Sequence, residues 1–501
     1  MGQRLDLLFV TPPSKDRVFQ ALGKELVGIE PPVWSTLMAT FFLKRGLSVK
    51  ILDAEAEWIG FEETASRIQS ANATLTVFVV YGHQPSASTQ CMPAGRGVCE
   101  RLNEIAPELN TMVMGTHASA LPRRTLEEEP YTFVCEGEGP YTVLALLEAL
   151  KAGSDRFEKV QGLWYRKDGA ICHTPPAENI ANLVDEIPGQ SWDLIDMSRY
   201  RAHNWHCFDH IDKRQPYASL QTSLGCPYKC SFCCINAPFG GPGIRYWSPK
   251  IVVDQIGHLV EKYGVKNIKI PDEMFVLNEQ HVLGICDLII ERGYDLNIWA
   301  YARVDTVKDR YLEKLKRAGF NWLALGIESG SKYVRDGVEK GRFGDVDIVK
   351  TTDKIKEHGI YIIANYIFGL PDDTLDSMQE TLDLALEINA EWGNFYCAMA
   401  YPGSPLYDRA VQLGQTLPDL PGGPGWIGYS QHAYESLPLS TDSLSGQEVL
   451  DFRDSAFDKY FTNARFQSMV RDRFGQHLVD HIDDMVAVKI KRKHRNPVIA
   501  S

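Results

Sequence analysis

Within the stretch "TSLGCPYKCSFCCINAP", residues 222–238, stand four of the chain's eleven cysteines. Cys226, Cys230 and Cys233 follow a C-x3-C-x2-C spacing beside a Gly-Cys-Pro turn. Thiols so spaced can wrap one face of a cubic iron-sulfur cluster, and three of them leave one iron without a protein ligand. A small molecule can coordinate at that open position. Zinc is the rival, but a structural zinc site closes with four ligands, usually in two separated pairs, and no second pair follows downstream. Adjacent cysteines rarely both point at one metal, so Cys234 reads as a small buried hydrophobe. The spacing by itself establishes a metal site.

The elements that must hold this stretch are legible on either side of it. It follows the first of six β-rich runs, "YASLQTSLGC", "NIKIPDEMF", "NIWAYARVD", "WLALGIES", "YIIANYIFGLP" and "NFYCAMAYPGSP", each flanked by a helical stretch. Six parallel strands with right-handed crossovers make a partial (β/α)6 barrel of the TIM type over residues 216–408, with its active site at the C-terminal strand ends. Residues 1–150 alternate in the same way: "LDLLFV", "SVKILDAE", "TVFVVYG", "NTMVMG" and "YTFVCEGEG" predict a doubly wound, Rossmann-like α/β domain with ligand at the carboxyl ends of its strands. The loops there are small and polar, although plain structural turns would look the same. Residues 151–215 read as a connector, in which Trp192, Trp205 and His206 either line a site or pack against a neighbour. Residues 409–501 begin Gly- and Pro-rich and end mostly helical.

Composition sets the outer bounds. A chain of 501 residues, 44% apolar and 23% charged, is globular and exceeds one core, so two or three domains are expected. A net charge of −13 argues against a nucleic-acid partner. The basic run "KIKRKHR", Lys489 to Arg495, reads as a solvated tail. No export signal or membrane-length apolar stretch is visible, so a soluble, cytoplasmic protein without membrane contact is expected. In a reducing cytosol clustered cysteines more often bind metal or do redox chemistry than form bridges.

With its aromatic Phe232 just before Cys233, the cysteine motif resembles that of the radical S-adenosylmethionine (SAM) enzymes, which carry it after the first barrel strand. The resemblance implies that the three cysteines bind a 4Fe-4S cluster whose free iron is chelated by SAM, and that reductive cleavage yields a 5′-deoxyadenosyl radical. It implies an electron donor such as flavodoxin or ferredoxin. It also places Phe232, Asp272, Glu273, Arg303, Glu328, Ser329 and Asn365 around SAM: the two carboxylates near the methionine moiety, Arg303 on its carboxylate, Glu328 on the ribose hydroxyls, and Asn365 with "FGLP" near adenine. Simpler readings stay open. Asp272 and Glu273 could cap the next helix, and Arg303 could sit in a surface salt bridge.

The first half is similar to the cobalamin-binding domain joined to such barrels in a subfamily of methylases and a bacteriochlorophyll-pathway cyclase. "MGTHASALPRRTLEEEPYTFVCEGEGPYT" carries that likeness. It implies cobalamin contacts from Thr11, Tyr81, Gly82, Ser86, Gly115, Thr116, His117, Glu136, Gly137 and Glu138. The Asp-x-His-x-x-Gly signature of an axial histidine is absent, and His83 and His117 read as ordinary loop histidines. The function implied is methylation of an unactivated carbon or phosphorus of a small metabolite, with the methyl group carried by cobalamin and the substrate radical made by SAM. Oxidation, cyclisation or rearrangement without methyl transfer, and a non-catalytic cobalamin-binding module, are the alternatives.

Overall fold

The computed structural model of the chain describes residues 4–23, 27–82, 84, 86–339 and 346–493; His83, His494 and Arg495 lie outside them. The five β-branched runs of the first half form parallel strands β1 (Leu7–Thr11), β2 (Val49–Asp53), β3 (Leu75–Val79), β4 (Thr111–Met114) and β5 (Phe133–Cys135). β3 and β4 are buried along their whole length, as strands covered by helices on both faces must be. The order β2-β1-β3-β4-β5 reverses direction between β1 and β3. At such a switch point the loops leaving the two strands part and open a crevice. Thr11 ends β1, and Tyr81 and Gly82 follow β3.

The sheet does not stop where the sequence pattern weakens. β6 (Leu163–Lys167) pairs antiparallel with β5, and β7 (Ala170–His173) pairs with β6, which gives seven strands. The signal for this hairpin is local: Asp168 and Gly169 both take positive φ, 51° and 78°, the geometry of the two-residue Asp-Gly turn. The rest of the connector is welded to the barrel. Trp192 is buried with its Nε1 donating to Gln255 Oε1 at 3.0 Å, and the buried His206 ring pairs with the Asn297 carbonyl at 3.0 Å.

The second half opens with β8 (Tyr217–Ser219), followed by a short antiparallel pair, β9 (Ser223–Leu224) and β10 (Arg245–Tyr246). β11 (Asn267–Ile270), β12 (Asn297–Arg303), β13 (Phe320–Glu328), β14 (Tyr361–Phe368) and β15 (Trp392–Cys397) complete a six-stranded parallel sheet in simple sequential order. All six expected runs are strands, and the sheet is an open half-barrel. The helices Gly446–Phe461, Ala464–Phe474 and Gln476–Ala487 follow. They are tied to the last strand: Tyr460 OH donates to the Ala390 carbonyl at 2.6 Å and Arg453 Nε to the Phe395 carbonyl at 2.7 Å.

The basic run corrects an expectation. Lys489, Lys491 and Lys493 are exposed as a solvated tail would be, but the Arg492 side chain is fully buried, pairs with Asp454 at 3.0 Å and donates to the Gln431 carbonyl at 2.8 Å. Lys489 pairs with Asp458 at 2.9 Å. Acidic partners on the helix Gly446–Phe461 give the cations somewhere better than water to go.

Candidate functional site

A cavity of about 390 Å³ lies between the two halves, lined by the strand-end loops of both. Cys226, Cys230, Cys233 and Phe232 contribute from the loop after β8. Facing them are Thr11, Tyr81, Gly82, Ser86 and Thr116 from the carboxyl ends of the N-terminal strands. A doubly wound sheet and a half-barrel both present their chemistry at the same strand ends, so apposing those ends makes one shared chamber.

The cysteine loop is held by its own backbone. Its stem is the β9–β10 ladder, and the Gly243 amide donates to the Cys226 carbonyl at 3.1 Å. Gly225 takes φ 89°, and a Cβ there would lie 2.5 Å from the Gly243 carbonyl oxygen, so the turn before Cys226 requires glycine. At the far side the Ser231 amide donates to the Val338 carbonyl at 3.0 Å, and the Ser231 carbonyl accepts from the Leu406 amide at 2.8 Å. All eleven cysteines lie outside any disulfide. Among the described residues no three His, Cys, Asp or Glu side chains are drawn into a metal-coordinating cluster, and the three thiols instead share one wall of the cavity. Burial pushes the Cys226 thiol up to about 11 and the Cys234 thiol up to about 12. Protonated thiols in an apolar wall need a cation to become thiolates, which is the chemistry of a metal ligand. The donor set therefore fits an iron-sulfur cluster held by Cys226, Cys230 and Cys233.

Of the residues expected around SAM, four more besides Phe232 line this cavity: Glu273, Arg303, Glu328 and Asn365. Glu273 is pushed up to about 7 by burial and by the neighbouring Asp272 charge. Arg303 is buried, forms a two-pronged pair with Asp305 at 2.9 and 3.0 Å, and stacks over Tyr228 with 4.0 Å from guanidinium carbon to ring centre. Glu328 sits at φ 67° beside a register shift between β13 and β14, a strained conformation that turns the strand's last residue toward the chamber.

Two residues of this group lie outside the cavity lining. Asp272 does not line the cavity. It accepts from the Thr222 amide at 2.7 Å, the Thr222 hydroxyl at 2.6 Å and the Ser223 hydroxyl at 2.6 Å, so it anchors the stem of the cysteine loop from behind. Burial still raises it to about 6 against those bonds. Ser329 is buried against Thr381, 3.1 Å between hydroxyls, and shapes the turn after β13.

The opposite wall carries five of the ten residues expected to meet cobalamin. The hydroxyls of Thr11, Tyr81 and Thr116 are buried there without a hydrogen-bond partner among the described residues. Three orphaned hydroxyls on one wall are an unusual cost, and they suit a ligand rich in amide groups. The other five residues are not among the lining residues and are engaged inside the fold, although His117 Nε2 is also buried without a hydrogen-bond partner among the described residues. A Cβ on Gly115 would lie 2.2 Å from the Val80 carbonyl oxygen, so this glycine permits strand packing. His117 is fully buried, with Nδ1 3.2 Å from Thr89 Oγ1 and its ring edge-on to Trp426; burial lowers it to about 3, and it stays neutral. Glu136 accepts from Trp164 Nε1 at 2.6 Å, and Gly137 donates its amide to Ser119 Oγ at 3.2 Å. Glu138 forms a buried two-pronged pair with Arg245 of β10, at 2.8 and 3.1 Å, and accepts from the Ile180 amide at 2.7 Å.

Three cavity residues escaped the sequence reading. Trp34 stacks on Tyr81, with ring centres 4.6 Å apart and planes 13° apart, and forms an aromatic platform on the N-terminal wall. Glu30 and Lys269 make a buried cross-domain ion pair at 3.3 Å. The Pro31-Pro32 turn before the helix Val33–Leu43 was the available signal for Glu30 and Trp34. Lys269, between two isoleucines in "NIKI", looked like an ordinary outward-facing strand residue.

Comparison with known proteins agrees with this layout. Residues 220–385 match the model of the radical SAM superfamily, and residues 20–147 match that of the B12 binding domain. The chain is 28% identical over 413 residues, 81% of its length and 83% of the relative's, to an uncharacterized methyltransferase of Pyrococcus horikoshii. It is 24% identical over 451 residues, covering 89% of this chain and 76% of the relative, to the anaerobic magnesium-protoporphyrin IX monomethyl ester cyclase of Rubrivivax gelatinosus. Among solved structures, the radical SAM methyltransferase TsrM from Kitasatospora setae superposes with a TM-score of 0.67 at 15% identity, over 93% of this chain and 90% of that one. The cobalamin-dependent radical enzyme OxsB, with aqua-cobalamin and SAM bound, gives 0.68 at 16% identity, over 96% and 71%.

Proposed function

Because the chain belongs to the radical SAM superfamily, in the branch that carries a B12-binding domain ahead of the half-barrel, we propose that it is a cobalamin-dependent methyltransferase acting on an unactivated carbon or phosphorus of a small metabolite. The observation that carries this reading is the shared cavity. Its barrel wall presents three thiols, and its N-terminal wall presents orphaned hydroxyls and an aromatic platform a cavity's width away. Bound there, a 4Fe-4S cluster with SAM supplies a reductively generated 5′-deoxyadenosyl radical, and cobalamin supplies a methyl carrier.

The chain's own residues divide the remaining work. Cys226, Cys230 and Cys233 would hold the cluster, and Asp272 keeps their loop in register through Thr222 and Ser223. Arg303 offers a cation to the SAM carboxylate, with its orientation set by Asp305 and Tyr228. Glu328 offers acceptors to a ribose diol. Thr11, Tyr81 and Thr116 would donate to the polar rim of cobalamin. An electron donor of the flavodoxin or ferredoxin class completes the proposal. Among the described residues no helix is long and apolar enough to cross a membrane.

The test is anaerobic turnover of reconstituted protein with methyl-labelled SAM. Label in the product, together with S-adenosylhomocysteine and 5′-deoxyadenosine, is expected. Formation of 5′-deoxyadenosine and product without label or S-adenosylhomocysteine would replace methyl transfer with oxidation, cyclisation or rearrangement.

A further inference from the structure

A second chamber, of about 580 Å³, opens from the first and runs through the interior of the half-barrel toward the C-terminal helices. Lys269, Tyr301, Asn365, Tyr396 and Gln431 line both chambers, so the two are continuous. The volume lies in the range that holds a drug-sized molecule.

The inner walls are aromatic. Trp299 and Tyr301 of β12, Trp392 and Tyr396 of β15, Trp205 of the connector and Phe457 of the C-terminal helices surround the space. Three of its amides are engaged inside the fold, while Gln84 and Gln90 line the side supplied by the N-terminal half. Asn394 accepts from Trp392 Nε1 at 2.8 Å and donates to Asn365 Oδ1 at 3.0 Å, and Asn365 donates to the Leu325 carbonyl at 3.1 Å. Gln431 bonds both backbone groups of Cys397 at 2.9 Å. At the mouth Arg453 and Arg492 pair with Asp454, and Lys489 pairs with Asp458. Along these aromatic walls a polyhydroxylated ligand such as a sugar nucleotide would leave hydroxyls facing ring carbons.

One charged side chain from the barrel strands stands where the two chambers join. Lys269 is 3% exposed and lies 5.1 Å over the Trp299 ring. Its Glu30 counter-charge comes from the other half of the chain, at a long 3.3 Å, and Glu30 also accepts from Tyr217 OH at 3.0 Å. Ile268 and Ile270, one residue to either side, face the opposite side of the strand, so Lys269 alone of the three meets the chamber. A buried ammonium bears a heavy desolvation cost that a ligand carboxylate, with a shorter charge-assisted bond, would offset.

We infer that the inner chamber is the substrate site and that its substrate is a largely apolar, ring-bearing organic acid whose carboxylate is read by Lys269, in competition with Glu30. As a statement about substrate this rests on the methyltransferase reading; as a statement about binding it is tested without turnover. The probes are 1-pyrenebutyrate and its neutral analogue 1-pyrenebutanol, in equilibrium dialysis against the full-length reconstituted protein. Wild type is expected to hold the acid at least about tenfold tighter than the alcohol, the equivalent of one charge-assisted hydrogen bond. Glu30→Gln tightens the acid and leaves the alcohol within about twofold, because the competing carboxylate is gone while a hydrogen-bond acceptor for Tyr217 remains. Lys269→Met combined with Glu30→Gln removes the preference for the acid, and Trp392→Leu weakens both probes.

Equal binding of acid and alcohol by wild type, or displacement of both by uridine diphosphate glucose, overturns the inference. So does an unchanged acid affinity in Glu30→Gln, which also decides the matter if the double variant loses both probes through misfolding. A retained acid preference with no methyl label in any product would break the methyltransferase reading and leave the chamber assignment standing. Labelled product from an enzyme without acid preference would do the reverse.

Discussion

Two turns of this chain look equally chemical on paper and do opposite things. The loop Gly225–Cys234 and the turn Glu136–Gly139 each combine glycine with side chains able to bind a ligand, and each follows a strand. In the first, the backbone supplies its own anchors and the side chains are delivered to the cavity. In the second, the side chains are the anchors: Glu136 holds Trp164, and Glu138 clamps Arg245 and Ile180. A polar group with a full set of partners inside the fold has little left to offer a ligand. One buried beside a cavity without a partner is waiting for something to bind. Glu138 also reaches Arg245 of β10, the stem of the cysteine loop, so the structural turn supports the chemical one.

Three substitutions break or sharpen this contrast, in decreasing order of effect. Replacing Cys226, Cys230 and Cys233 together by alanine should reduce bound iron and SAM cleavage to background while circular dichroism and the thermal transition stay close to wild type; iron assay and 5′-deoxyadenosine quantitation check it. Asp272→Asn keeps the size of the side chain but loses acceptor strength toward Thr222 and Ser223. It should weaken iron retention by about 10- to 100-fold under chelator challenge, the usual consequence of loosening the support of a metal ligand. Glu138→Ala leaves Arg245 without its buried partner and should cost about 3 kcal/mol in denaturant unfolding. Iron bound per folded molecule should fall less than in Asp272→Asn, because Glu138 reaches the stem of the cysteine loop only through Arg245. If Glu138→Ala strips the iron at unchanged stability, the two turns are not divided as described.

The strand grammar was readable because it is periodic and local. All eleven runs assigned from β-branched residues are strands, since parallel strands between helices must be apolar on both faces. The hairpin β6–β7 was missed although Asp168-Gly169 marks it, because it falls where the alternation of strand and helix ends. On the cavity, the expected contact residues at strand ends are lining residues, because topology alone decides which way a strand-end loop faces. Gly115, His117, Glu136, Gly137, Glu138, Asp272 and Ser329 are not among the lining residues. There the deciding fact is a partner far away in sequence, such as Arg245 for Glu138 or Thr222 for Asp272, and spacing carries no record of it.

What the sequence by itself determined is the chemistry on offer: three thiols at a fixed spacing, a strand-end register for their neighbours, and two α/β halves each with a ligand-facing edge. These depend on covalent order and short-range periodicity, which one chain displays directly. Tertiary structure alone decided that the two edges meet around one cavity, that a second chamber continues through the barrel behind it, and that Lys269 and Glu30, 239 residues apart, stand at the junction. Those facts depend on how two independently wound sheets pack. Packing is settled by complementary surfaces that no local window of sequence contains.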